Sequence, residues 1–105
     1  MISVVKRDGE IAEFSLNKIT EAIKKAFRAT GKEYNNEILE LLSLRVTSDF
    51  QSKLENGNIS VEQIQDSVEH VLEQTGYTDV AKAYILYRKQ REKIRNMKNT
   101  ILDYK

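Results

Sequence analysis

The spacing of apolar positions changes along the chain. Residues 2–7, "ISVVKR", are rich in β-branched side chains, and Ile11–Phe14, "IAEF", returns as a second short run. Between them Asp8-Gly9 is a strong short-range hairpin signal, because Gly tolerates φ > 0 and Asp does so better than most residues. From residue 16 the period becomes helical. Leu16, Ile19, Ile23, Ala26 and Phe27 recur one turn apart, Ser15 stands at the N-cap and Gly31 stands where a helix closes on a left-handed residue. That spacing predicts a helix over 16–30. A second helix starts at Asn35 or Asn36. Its apolar set is Ile38, Leu41, Leu42, Val46, Phe50 and Leu54, with Leu39 and Leu44 beside them, a face broad enough to predict a central helix ended by "ENGN" at 55–58. Ser60 and Gln63 have capping-box spacing and Ile59 and Ile64 that of a hydrophobic staple, so a third helix should run from there to just before Gly76. A fourth starts near Thr78–Asp79 and continues through "VAKAYILYRKQREKIR". The tail "NMKNTILDYK" has weak periodicity and reads as frayed helix or as a link to something else. A lone two-stranded hairpin is marginal in water, so this one must lie on the helices. The expectation is a mainly α fold, a short N-terminal β-hairpin covering a four-helix bundle, with one domain over 1–95 and a tail or linker over 96–105.

Composition narrows the chemistry more than the fold. A chain of 105 residues suits one domain with one core, and the absence of Pro agrees with a helical chain. There is no Cys, which excludes disulfides, thiolate metal sites and thiol or thiyl chemistry within this chain. No apolar run approaches the roughly 20 residues that span a bilayer, and "MISVVKRDG" lacks the order of a signal peptide. A cytoplasmic protein without a membrane partner is expected. Lys and Arg number 17 against 16 Asp and Glu, a formal net charge of +1. A nucleic-acid binder usually carries a strong basic excess, so the bulk charge speaks against one.

The candidate chemistry is cationic and aromatic. No Gly-rich phosphate loop of either common pattern is present: "TGKE" at 30–33 has Glu33 where Ser or Thr should stand. The one His, His70, falls off the apolar stripe of Ile64, Val68 and Val71 and reads as an ordinary surface residue. No spacing argues for a catalytic site. The first cationic cluster is Lys6 and Arg7 on the hairpin, with Lys18 one turn into the first helix, near helical N–H groups that favour anions. Spacing alone favours the plainer reading, an edge hairpin charged against aggregation and a solvated Lys. The second cluster is on the fourth helix, where seven cations and one acid, Glu92, lie between Lys82 and Lys98. Tyr84, Arg88, Arg91 and Arg95 share a stripe, with Tyr87 one step round from Arg88. A solvated helix end whose cations complement the macrodipole is the plain alternative. Tyr84 and Tyr87 read as core or rim aromatics before they read as stacking platforms.

Together these motifs resemble the ATP-cone, a small regulatory nucleotide-binding domain at the N-terminus of many ribonucleotide reductases. The matching stretches are "VVKRDGEIAEFSLNKI" (Val4–Ile19), "AIKKA" (Ala22–Ala26), "ISVEQIQDSVEHVL" (Ile59–Leu72) and "GYTDVAKAYILYR" (Gly76–Arg88), within about residues 3–91. "YRKQREKIR" is most similar to the anaerobic ribonucleoside-triphosphate reductase class. Zinc-ribbon transcriptional repressors carry the same cone, but with metal-binding Cys that this chain lacks.

The resemblance implies ATP or dATP bound between hairpin and helices. Val4, Val5 and the backbone around Lys6 would face the base, Phe14 and Ile19 would wall its pocket, and Lys6, Arg7 and Lys18 would reach phosphates. Val61 and Gln65 would border the nucleotide, and Lys82, Tyr87, Arg88 and Arg91 would close it from the fourth helix. Ala12 and Ser15 stand where some members carry longer polar groups, which bears on the ribose contacts. The resemblance also implies Mg²⁺ with the phosphates and a ribonucleotide reductase catalytic domain as partner. It further implies a nucleotide-dependent homo-oligomer and a regulatory rather than enzymatic role. The rival reading is a helical nucleic-acid-binding or transcription-regulator module using the basic fourth helix.

Overall fold

The computed structural model describes residues 2–103; Tyr104 and Lys105, at the end of the expected tail, lie outside it. Three short strands and four helices follow in the order β1 (Ser3–Val5), β2 (Ile11–Glu13), α1 (Leu16–Thr30), α2 (Asn36–Phe50), β3 (Asn58–Ser60), α3 (Val61–Gln74) and α4 (Thr78–Asp103). Among the described residues no helix is long and apolar enough to cross a membrane.

The hairpin forms where expected, with a tighter division of labour in its turn. Val5 pairs with Ile11, and Lys6 and Glu10 close a three-residue loop through a 2.8 Å backbone bond. Gly9 takes the left-handed conformation at φ 88, while Asp8 contributes its side chain: Oδ1 accepts the Glu10 N–H at 3.0 Å. Strand β1 ends at Val5, so Arg7 already belongs to the loop and is freed from strand alternation.

The hairpin has a third strand beside it, which corrects the expectation of two. After the "ENGN" break, where Asn56 and Gly57 both take positive φ, residues 58–60 pair parallel to β1 in the register Ser3 with Asn58, Val4 with Ile59 and Val5 with Ser60. The sheet order is β2-β1-β3, with β1 central. Three residues are too few to show a strand period. Strand β3 runs straight into α3, whose N-cap Ser60 accepts from Gln63 N–H while the Gln63 side chain accepts from Ser60 N–H, the full capping box. The β1–β3 register therefore sets the first turns of α3 beside Val4 and Lys6.

The helices pack as a ring in which α1 meets α2 and α4, and α3 meets the same two. Ile23 and Phe27 of α1, Val46 and Phe50 of α2, Leu72 of α3 and Val80 of α4 are fully buried. Leu41 and Leu44 are 59% and 58% exposed, so α2 is an ordinary ring member rather than a central helix; its buried set is the narrower Leu39, Leu42, Ser43, Val46 and Phe50. It also stops at Phe50, and a single 3-10 turn covers 51–53 before Leu54. Asn35 caps it, Oδ1 accepting from Ile38 N–H at 2.8 Å. Ser15 occupies the cap position of α1 without a side-chain bond. Helix α4 continues unbroken past residue 95 to Asp103.

The sheet is anchored to the bundle by apolar contacts. Ile59 is 2% exposed, and the Phe14 ring meets Phe50 edge-on with centroids 5.4 Å apart. Such a pair adds about 0.5–1.5 kcal/mol beyond area burial.

Candidate functional site

Two adjoining cavities open between the hairpin, α1, α3 and α4. The smaller, about 190 Å³, is apolar. Val4 from β1, Phe14 from the end of the hairpin, Ile19 from α1, and Ile64 and Val68 from α3 wall it. The larger, about 420 Å³, is cationic, lined by Lys6 and Arg7 from the hairpin, Lys18 from α1, and Arg88, Arg91 and Arg95 from α4. Lys6, Lys18, Ala22, Val61, Gln65 and Tyr84 line both, so the cavities share one wall. The side-chain oxygen of Gln65 is buried there without a hydrogen-bond partner in the protein.

Helical geometry explains the convergence. Lys18 and Ala22 lie one turn apart on the face of α1 toward the hairpin, with Ile19 pointing into the core. Tyr84, Arg88, Arg91 and Arg95 share one stripe of α4, and all four line the cleft. The two adjacent cations of the turn serve the same space because Arg7 has left the strand: Lys6 reaches both cavities and Arg7 the cationic one.

The arginines are not equivalent. Arg88 Nη1 donates to Asp66 Oδ1 and Glu69 Oε1, both at 2.9 Å. Burial works against its charge, but these two bonds and the negative charges of Glu69 and Asp66 together outweigh it and raise its pKa, so Arg88 is firmly cationic and ties α4 to α3. Arg7 lies 3.4 Å from Glu62 and 3.4 Å from Glu92. Arg91 Nη1 donates to the Tyr87 hydroxyl at 3.2 Å, and Lys25 Nζ reaches the same oxygen at 3.4 Å. The bond from Arg91, aided by Lys25, lowers the Tyr87 pKa. Tyr84, three residues earlier, is pushed well above its ordinary value by burial, with Arg88 opposing.

Of the residues expected at the site, Val4, Lys6, Arg7, Phe14, Lys18, Ile19, Val61, Gln65, Tyr87, Arg88 and Arg91 line one or both cavities. Val5 and Lys82 line neither. Val5 follows Val4 in β1, and strand alternation turns it to the opposite face. Lys82 is exposed, about 160° round α4 from Tyr84 at 3.6 residues per turn. Sequence reasoning missed Ala22 and Tyr84 as shared walls, though Ala22 is one turn from Lys18 and Tyr84 heads the cationic stripe. It also missed the acids paired with the arginines, for which only Glu92, alone among cations, carried a local signal. His70 is on the surface as expected, with Nε2 3.8 Å from an Asp49 carboxylate oxygen.

The family model described as the ATP cone domain matches residues 2–93. The chain is 42% identical over 105 residues to the ribonucleoside-diphosphate reductase subunit alpha of Chlamydia pneumoniae, covering 94% of this chain and 10% of that protein. It is 44% identical over 100 residues to the vitamin B12-dependent ribonucleoside-diphosphate reductase of Thermoplasma acidophilum, covering 90% and 12%. It is 36% identical over 101 residues to the anaerobic ribonucleoside-triphosphate reductase of Haemophilus influenzae, covering 93% and 14%. The chain thus spans about a tenth of the length of the curated relatives it matches.

Proposed function

The chain belongs to the ATP-cone family, and on that premise we propose that it is an allosteric sensor of ATP and dATP that controls the overall activity of a ribonucleotide reductase. The observation that carries this reading is the shared wall between an apolar pocket and a cationic cleft. A nucleoside triphosphate has that same division: a flat apolar base at one end and about four negative charges at the other. Base against Val4, Phe14 and Ile19, and phosphates among Lys6, Arg7, Lys18 and Arg91, would satisfy both ends at once. Arg88 would contribute its charge from a fixed position.

Among the described residues no group of three or more His, Asp or Glu side chains could hold a metal ion. Mg²⁺ would therefore be held by the phosphates and water rather than by a protein cage, as is usual for this ion. ATP and dATP differ by one ribose hydroxyl, and the two must favour different conformations or assemblies to act as a switch. The chemistry would lie in a reductase catalytic domain of a longer chain or a partner, in the cytoplasm. Residues 1–95 would be the sensor, and 96–105 the connection. Relatives named as diphosphate and as triphosphate reductases both carry the matching region, so the parent's class is not singled out. The α4 arginines face the cleft and its acids, which argues against their serving as a nucleic-acid stripe.

Thermal-shift and calorimetric titrations with ATP, dATP and GTP test the reading. An adenine-selective rise in melting temperature is expected. Lys6→Glu and Lys18→Glu should each weaken ATP binding by about 10- to 100-fold, the range for hydrogen bonds to charged groups, with the fold intact. Normal ATP binding by both variants would refute the phosphate assignment. Deleting 96–105 should spare nucleotide binding and weaken nucleotide-dependent homo-oligomer formation, measured by light scattering; unchanged association would exclude that route.

A further inference from the structure

Arg7 sits in the hairpin loop between two carboxylates that come from different helices. Its Nε is 3.4 Å from Glu62 Oε1, in the first turn of α3, and its Nη1 is 3.4 Å from Glu92 Oε1 on α4. The Arg7 side chain is 24% exposed, and the two acids are 57% and 51% exposed. Arg7 and Glu92 both line the cationic cleft. Arg88 also has two acids, but at 2.9 Å and with one of them, Glu69, only 23% exposed. Arg88 is built to stay paired. Arg7 is held more loosely, by partners open to water.

We propose that Glu62 and Glu92 are internal competitors for Arg7: a carboxylate latch that occupies this cation until a polyphosphate displaces it, so that the two acids set the affinity threshold of the cleft. The inference rests on the reading of the cleft as a phosphate site. A carboxylate offers a guanidinium the same kind of charge-assisted acceptor as a phosphate, so the two compete for one group. The latch is weak by construction. Exposed ion pairs are screened by water, and each acid should hold back binding by only about two- to fivefold. The latch is also a tie, because Arg7 joins the hairpin to α3 and α4 together. When phosphate takes Arg7, that tie opens and Glu92 is left beside an anion, which links occupancy of the cleft to α4.

Calorimetry with ATP at fixed ionic strength tests this. Glu92→Gln should tighten binding about two- to fivefold, and Glu62→Gln with Glu92→Gln about tenfold. Glu92→Gln is the cleaner single variant, because Glu62 also complements the α3 dipole. Removing any acid near a bound anion would tighten binding somewhat, so the decisive measurement repeats Glu92→Gln in an Arg7→Gln background. There the gain should fall below about twofold. An undiminished gain would mean that the acid acts through its field alone and would overturn the latch, as would no gain in the unmodified background. If the wild-type protein binds no ATP, the nucleotide reading fails and the latch with it. If it binds ATP but shows no Arg7-dependent gain, the latch alone fails.

Discussion

The apolar pocket and the cationic cleft share a wall but are made of different material. The pocket is walled by parts of the fold itself. Val4 is held in register with Ile59, Phe14 rests on Phe50, and Ile19 and Val68 belong to the core. The cleft is lined by long side chains that reach in from the hairpin, α1 and α4, where they meet carboxylates, a phenol and water. A change at the pocket must therefore disturb folding before it disturbs a ligand. A change at the cleft can alter ligand binding and leave the fold nearly untouched. On the proposed reading, the geometry of a nucleotide site would be set at one end and its affinity adjusted at the other.

Phe50→Ala is the largest expected way to break that contrast. It removes a fully buried ring that supports Phe14, and should cost about 3–5 kcal/mol in urea unfolding. The pocket wall would loosen with it, so adenine-nucleotide binding should fall although Phe50 lines neither cavity. A smaller cost, or intact binding in a destabilised protein, would show that the pocket is independent of the core. The charge reversals at Lys6 and Lys18 are the complement. Both side chains are exposed, and their unfolding free energy should stay within about 0.5 kcal/mol of wild type while ATP binding weakens as stated above.

What the chain betrays in advance follows the same division. The helices were legible because burial writes a 3.6-residue period over about 15 positions, and the Ser60–Gln63 box marked the start of α3. Strand β3 was illegible because three residues carry no period and its partner, β1, lies more than fifty residues earlier. The outward turn of Leu41 and Leu44 was illegible because apolar residue type does not state which side is covered. At the site, the stripe from Tyr84 to Arg95 could be read from spacing on one helix. The pairing of Arg7 with Glu62 and Glu92, and of Arg88 with Asp66 and Glu69, could not, since each joins residues from separate elements.

The smallest expected effect lies on α4, where Tyr84, buried on the wall shared by both cavities, and Tyr87, in the cationic cleft alone, stand three residues apart. Burial raises the Tyr84 pKa, because an ionised phenol would lose its hydration there. Hydrogen bonds from Arg91 and then Lys25 lower that of Tyr87, because both donors favour the phenolate. The chain has five tyrosines, so absorbance difference titrations against Tyr87→Phe and Tyr84→Phe isolate the two phenols, and they should show Tyr87 ionising ahead of Tyr84. Arg91→Gln should shift the early step to higher pH and leave the Tyr84 step in place. The sign for stability follows from the depressed value. Tyr87 contributes through its phenolate only at alkaline pH, fully above the ordinary tyrosine pKa near 10, and that contribution is lost as pH falls through its folded value. Near neutral pH the Arg91→Gln variant should unfold at the same urea midpoint as wild type; only in the alkaline limb should the two diverge. Coincident titration of the two tyrosines would mean that burial at the shared wall and the cations of the cleft do not separate the two phenols, and that part of the contrast would not hold.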